Sequence, residues 1–112
     1  VHKYNAQVTY VDGRRFDSKA EAHRYGELQL LEKDGQIHSL ICQPSFVLQS
    51  SFVDNTGKKQ SAIKYVGDFQ YKDTRTGKWT VEDVKGMETP VFRLKRKMFL
   101  KKYPEFELRI IK

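Results

Sequence analysis

Hydrophobic and polar positions change period several times along this chain, and each change marks an element. Val8 to Phe16 reads as a small hairpin around Asp12-Gly13, a dipeptide that supplies the positive φ angles of a tight turn. After Ser18 the period lengthens, and Tyr25, Leu28, Leu31 and Glu32 recur at helical spacing. Ser18-Lys19-Ala20-Glu21 has the form of a capping box, with Ser18 as cap and Glu21 reaching back to its amide. The helix runs to about Lys33, where Asp34-Gly35 ends it. Glu21, one turn before Tyr25, lies at the end of a largely apolar stripe, facing inward or along a rim.

Ile37 to Ile41 and Ser45 to Val53 read as strands divided by Gln43-Pro44. Pro44 cannot donate to a ladder, so it belongs at a strand start or an edge. The polar run from Asp54 to Lys59 is a turn, and Ile63 to Tyr71 and Lys78 to Lys85 are two more strands. Thr89-Pro90 opens a second helix, threonine as cap and proline at the first helical position. It extends to about Lys102 and is stopped by Pro104, because residues before proline avoid helical angles. Val91, Leu94 and Met98, with Lys95, Phe99 and Lys102, make it amphipathic with a strongly basic side. Phe106, Leu108 and Ile110 alternate in a final strand. The order implies a mixed sheet with helices on it, of the α/β (α+β) class. A helix leading to a last, parallel strand implies a right-handed crossover.

Composition adds limits. With 112 residues, 38% of them hydrophobic, the chain is expected to form one domain: a hairpin over 1–16 and a core over 17–112. No apolar run approaches the roughly 18–20 residues of a membrane span. No charged-then-apolar leader is present, so the expected location is cytoplasmic. Cys42 is alone, which excludes an internal disulfide, and no Cys/His cluster has zinc spacing. Lys and Arg outnumber Asp and Glu by 21 to 14, a net charge of +7. Arg93, Lys95, Arg96, Lys97, Lys101 and Lys102 fall together in a stretch without an acid, which points to a polyanionic partner. A merely solvated basic face is the alternative.

The chemistry lies in the middle of the chain. Asp73 and Lys78 flank a four-residue loop ending in Gly77, a natural left-handed position. Closed in that register, the hairpin sets Asp68 opposite Asp83 and Val66 opposite Lys85. Strand alternation then places Asp68, Asp83 and Lys85 on one face and turns Glu82 away. Like charges directly opposite are unfavourable to folding, and a bound cation reverses that sign. Carboxylates are the ligands Mg²⁺ prefers, and Lys85 is spaced to reach the same attacking water. A surface ion-pair ladder is the plainer alternative. The Asp-any-Lys spacing is weak by itself, since Asp17-Ser18-Lys19 repeats it at a helix start. His23 and His38 read as surface or rim residues, and Trp79, Tyr71 and Phe92 as core.

These residues resemble the PD-(D/E)XK nuclease superfamily, whose core runs helix, three strands, helix, strand. That family carries an acid on the first helix, an aspartate on the second core strand and a (D/E)-any-Lys triplet on the third. Glu21, Asp68, Asp83 and Lys85 match those positions. The segments Phe16 to Glu21, Gln43-Pro44, Tyr65 to Phe69 and Glu82 to Gly86 go further. Together they resemble a short phage and prophage endonuclease family of formerly unknown function. The pattern is also similar to TnsA-type nucleases and archaeal-type Holliday junction resolvases. One departure is that no proline precedes Asp68.

The resemblance implies a restriction-endonuclease-like core in which Glu21, Asp68, Asp83 and the carbonyl of Val84 hold Mg²⁺ or Mn²⁺. Lys85 then serves the water. It further implies hydrolysis of DNA phosphodiesters to 5′-phosphate and 3′-hydroxyl ends, on branched or recombination intermediates, by a homodimer. Arg93, Lys95, Arg96 and Lys97 become the phosphate contacts, which position a strand without reading its sequence. A non-catalytic nucleic-acid-binding module, or a nuclease subunit of a larger transposition or recombination assembly, fits the same residues.

Overall fold

The computed structural model describes residues 7–112, so the first six residues of the expected hairpin lie outside it. The remainder of that hairpin forms from β1 (Thr9–Val11) and β2 (Arg14–Phe16), antiparallel, with Asp12 and Gly13 both at positive φ in the turn. Helix α1 (Lys19–Lys33) follows, with the Ser18 side chain accepting from the Glu21 amide as the capping pattern requires. The reciprocal arm differs from expectation, because the Ser18 hydroxyl donates to the Glu21 carboxylate at 3.1 Å.

Four strands form the main sheet: β3 (Ile37–Cys42), β8 (Phe69–Asp73), β9 (Trp79–Val84) and β10 (Phe106–Ile111). Their spatial order is β10-β9-β8-β3. The first three in sequence run antiparallel to their neighbours, while β10 lies parallel to β9 after the crossover through helix α2 (Pro90–Lys102). The class is mixed α+β. Thr89 caps α2 and Pro90 stands in its first turn, as the sequence predicts.

Two strands expected to be continuous are broken. Ser45 to Val53 divides into β4 (Ser45–Gln49) and β5 (Phe52–Val53). Ile63 to Tyr71 divides into β7 (Ile63–Val66) and β8. The chain changes partner at Gly67 and Asp68: β7 pairs with β4, and β8 with β9 and β3. Steric fit explains the glycine, since a Cβ there would stand 2.7 Å from Val81 Cγ1. Val66 therefore pairs with Ser45, and the expected pairing of Val66 with Lys85 does not form. A short pair, β5 with β6 (Lys59–Gln60), extends the β4–β7 ribbon beyond the sheet.

Both faces of the sheet are covered. Phe16, Leu28, Ile37, Phe69 and Tyr71 fill the side under α1; Phe46, Tyr65, Val81, Phe92 and Phe99 fill the side under α2 and the ribbon base. Phe69 and Phe99 are wholly buried, which is worth about 1.5–3 kcal/mol for each such side chain. On α2 the expected apolar stripe is displaced. Phe92 and Phe99, seven residues and two turns apart, take the core, and Val91 and Leu94 stay 62% and 60% exposed. Among the described residues no helix is long and apolar enough to cross a membrane.

Candidate functional site

The register of the β8–β9 hairpin decides what meets what. Gly77 takes φ 71° and its amide donates to the Asp73 carbonyl at 2.8 Å, which closes the four-residue loop. Phe69 pairs with Glu82 and Tyr71 with Thr80. The ladder ends at that Phe69–Glu82 pair, so the expected pairing of Asp68 with Asp83 falls just past its last rung. Asp68 has left the ladder but is held to it: its amide donates to the Glu82 carbonyl at 2.9 Å, and the Val84 amide donates to its Oδ2 at 2.6 Å.

Asp83 is buried beside Val81 on the α2 side. The Tyr65 hydroxyl donates to its Oδ2 at 2.6 Å, and Lys85 Nζ stands 3.2 Å from Oδ1. The same ammonium lies 4.5 Å from the Phe92 ring centroid, so the first turn of α2 positions it from the opposite side. Glu21, half-buried at the start of α1, brings its carboxyl within hydrogen-bonding reach of Asp68. Glu21, Asp68, Asp83 and Lys85 thus gather at one end of the sheet, drawn from three elements.

Charge is tightly managed there. Burial, opposed by the Val84 amide and reinforced by the negative Glu21 and Asp83, pushes the Asp68 carboxyl up to about 8. These surroundings favour the neutral form of Asp68 over the ionised one. Burial and the adjacent Asp83 likewise raise Tyr65 far above its ordinary range, so it remains a donor.

A cleft of about 250 Å³ opens beside these groups, lined by Lys64, Tyr65, Asp83, Lys85, Phe92 and Lys95 among others. Of the four basic residues expected on α2, only Lys95 lines it. Arg96 and Arg93 are engaged by Glu88, at 3.2 and 3.7 Å, and Lys112 joins the same carboxylate at 2.9 Å. The acid-free stretch is thus answered by an acid just before the helix cap, which corrects the picture of an unopposed basic cluster. Lys97 is exposed.

Behind the site lies a group that sequence reasoning missed. Glu82 turns away from Asp83 as alternation requires, but into the α1 core, where it is fully buried. Arg24 grips it in two-pronged fashion, Nε to Oε1 and Nη2 to Oε2, each at 2.7 Å, and the Tyr71 hydroxyl donates to Oε2. An acid between Val81 and Asp83 on a strand buried on both faces was the available signal, since such an acid needs a cationic partner. Tyr65 carried no such signal, because the partner change at Gly67 breaks the alternation that would have placed it.

As a metal-holding set the group is open. Among the described residues no three His, Cys, Asp or Glu side chains stand at cage spacing. The donor chemistry nevertheless suits a hard divalent cation. Asp68 Oδ2 accepts from an amide and Glu21 Oε2 from the Ser18 hydroxyl, so the second oxygens of these two neighbouring carboxyls are the ones a cation would use. Mg²⁺ keeps several waters and needs only one or two carboxylates. His23 and His38 are exposed, away from these acids.

A buried aspartate and a half-buried one with an adjacent lysine, at the end of a mixed sheet between two helices, define a compact α+β domain with a polar site at its strand ends. The chain belongs to the family described as Protein of unknown function (DUF1064), whose model matches residues 1–112. No curated protein and no solved structure matches it.

Proposed function

We propose that this chain is a divalent-metal-dependent DNA endonuclease of the PD-(D/E)XK kind, acting on branched or recombination intermediates in a phage or prophage setting. The observation that carries the reading is the gathering of Asp68, Asp83 and Glu21 at one end of the sheet, with Lys85 beside Asp83 and a lysine-lined cleft in front. Folding alone does not select facing carboxylates at a half-buried strand end. The order α1, β3, β8, β9, α2, β10 supports the restriction-endonuclease-like likeness, with the β4–β7 ribbon inserted after the first strand.

Asp68, Asp83, Glu21 and the Val84 carbonyl are the groups that would hold Mg²⁺ or Mn²⁺, which supplies charge stabilisation at the phosphate and a more acidic water. The remaining roles fall to the chain. Lys85, fixed between Asp83 and the Phe92 ring, places a positive charge where negative charge builds on a phosphate oxygen. Lys95 steadies the backbone alongside. Tyr65 locks one oxygen of Asp83, leaving the other to face Lys85. A chain of this size cuts two strands most simply as a symmetric pair, so a homodimer is part of the proposal.

The test is incubation with four-way junctions, flaps and plain duplex, with and without Mg²⁺ or Mn²⁺. Metal-dependent nicking that disappears in Asp83→Ala supports the reading; nicking that persists in that variant refutes it. The lysines around the cleft also suit a second reading, a DNA-binding module without catalysis. Calorimetry showing salt-dependent DNA binding and no Mn²⁺ binding would select it.

A further inference from the structure

The β4–β7 ribbon is the least embedded part of the molecule. Its base packs on α2 through Phe46, Leu48 and Tyr65. Its outer half, β5 with β6, makes its substantial contacts only within itself. Phe52 and Val53 there are 47% and 66% exposed, which a free-standing ribbon cannot justify by stability. The turn is nonetheless well built. Asp54 accepts from the Thr56 and Lys58 amides, the Thr56 hydroxyl and the Gln60 side chain, which holds its carboxyl well below the usual range. A rigid tip projecting from the core suits a contact.

Charge indicates which contact. Between Pro44 and Val66 the chain carries Lys58, Lys59 and Lys64, and its one acid, Asp54, is consumed by the turn. None of the three lysines makes an ion pair among the described residues. Lys64 lines the cleft that holds Asp83, Lys85 and Lys95, so the ribbon starts at the candidate site and leads away from it. From Lys64 to Lys58 a strand rise of about 3.3 Å per residue gives a reach of roughly 20 Å, or about six base pairs of duplex.

Building on the proposed nuclease reading, we infer that this ribbon is a second DNA-contacting arm. Lys64 holds a backbone phosphate at the edge of the cleft, and Lys58 and Lys59 hold phosphates about half a helical turn along the same duplex. The arm sets orientation and register rather than base sequence.

The test is fluorescence anisotropy on a 24-base-pair duplex in EDTA, so that cleavage plays no part, over a series of salt concentrations. The variants are Lys58→Gln/Lys59→Gln at the tip and Lys64→Gln at the base, with folding checked by circular dichroism. Each neutralised phosphate contributes about 0.9 to the log–log salt slope. The expected result is a slope shallower by about 1.8 for the tip variant and about 0.9 for the base variant. Parental binding with an unchanged slope in the tip variant overturns the arm and leaves the nuclease reading standing. Failure of the parental protein to bind DNA removes both. Sedimentation showing that the tip substitutions dissociate a dimer, with the slope unchanged, assigns the ribbon to a second copy of the chain and likewise overturns the inference.

Discussion

Replacing Arg24 by methionine strands the Glu82 carboxylate inside the α1 core. Glu82 has no exposed surface, and two of its three hydrogen bonds come from the guanidinium. Removing one partner of a buried, bidentate pair costs about 3–5 kcal/mol, because the other charge remains desolvated. For a domain with total stability of about 5–15 kcal/mol that is a large fraction. With a urea m-value of about 1.5 kcal/mol/M, the midpoint falls by roughly 2–3 M. The double variant Arg24→Met/Glu82→Leu removes the stranded charge as well, and such replacements are about neutral or even stabilising. Urea denaturation of wild type, both single variants and the double variant closes a double-mutant cycle, with an expected coupling of about 3 kcal/mol or more. A cost below about 1 kcal/mol for Arg24→Met, or a double variant as unstable as the single, refutes the reasoning. The cycle also separates stability from placement. Arg24 lies three residues after Glu21, and Glu82 directly precedes Asp83, so this pair fastens the helix bearing one candidate ligand to the strand bearing another. On the proposed function, the double variant is folded yet binds Mn²⁺ more weakly by calorimetry.

Three other outcomes follow from the same geometry. Thr80 is completely buried and its hydroxyl has no partner, so Thr80→Val is expected to stabilise the fold by about 1 kcal/mol; a lower thermal midpoint refutes this. Gly67→Ala places a methyl 2.7 Å from Val81 Cγ1 and is expected to cost about 1–3 kcal/mol, read as a lower urea midpoint; an unchanged midpoint means that the chain passes β9 less closely. The native Asp68 carboxyl, raised to about 8, keeps a proton that the unfolded chain releases near its ordinary value. Metal-free stability relative to Asp68→Asn therefore falls as pH rises from about 4 to 8, by at most about 1.4 kcal/mol per unit. A flat difference between the two urea series rules out the buried proton.

The legible parts of the fold were those governed by local chemistry. Ser18, Thr89-Pro90, Asp12-Gly13 and Gly77 each constrain backbone angles or satisfy a particular amide, so both caps and both hairpin turns follow from the residues themselves. The β8–β9 register was legible for the same reason, since a turn that fixes a register fixes the pairs along it as far as Phe69 and Glu82. What could not be read was where a strand changes sheets. Ile63 to Tyr71 is uniformly rich in β-formers, and only the close approach of Val81 to Gly67 shows the break. The stripe on α2 was misplaced because Val91 and Leu94 match helical spacing as well as Phe92 and Phe99 do. Burial went to the aromatic pair, which meets Phe46 and Tyr65 across the interface. Glu88 escaped notice because it precedes the helix whose arginines it engages.

The partner change at Gly67 bears on chemistry as well as on fold. A carboxylate within a regular ladder has neighbours set by the pleat, whereas Asp68 sits where one ladder has ended and the next begins. Its backbone is tied on both sides, by Gln43 to its carbonyl and by Glu82 to its amide, so the side chain is held without being packed away. Glu21 and Asp83 both disfavour a negative charge on Asp68, as does its burial. The fold answers the charge on Asp83 with two donors, the Tyr65 hydroxyl and the Lys85 ammonium, and leaves Asp68 biased toward its neutral form. On the proposed function, a divalent cation bound by these acids would favour their ionised forms instead. Such a cation would compete with protons at Asp68, so on that reading Mn²⁺ binding measured by calorimetry tightens as the pH rises, and binding independent of pH counts against Asp68 as a ligand.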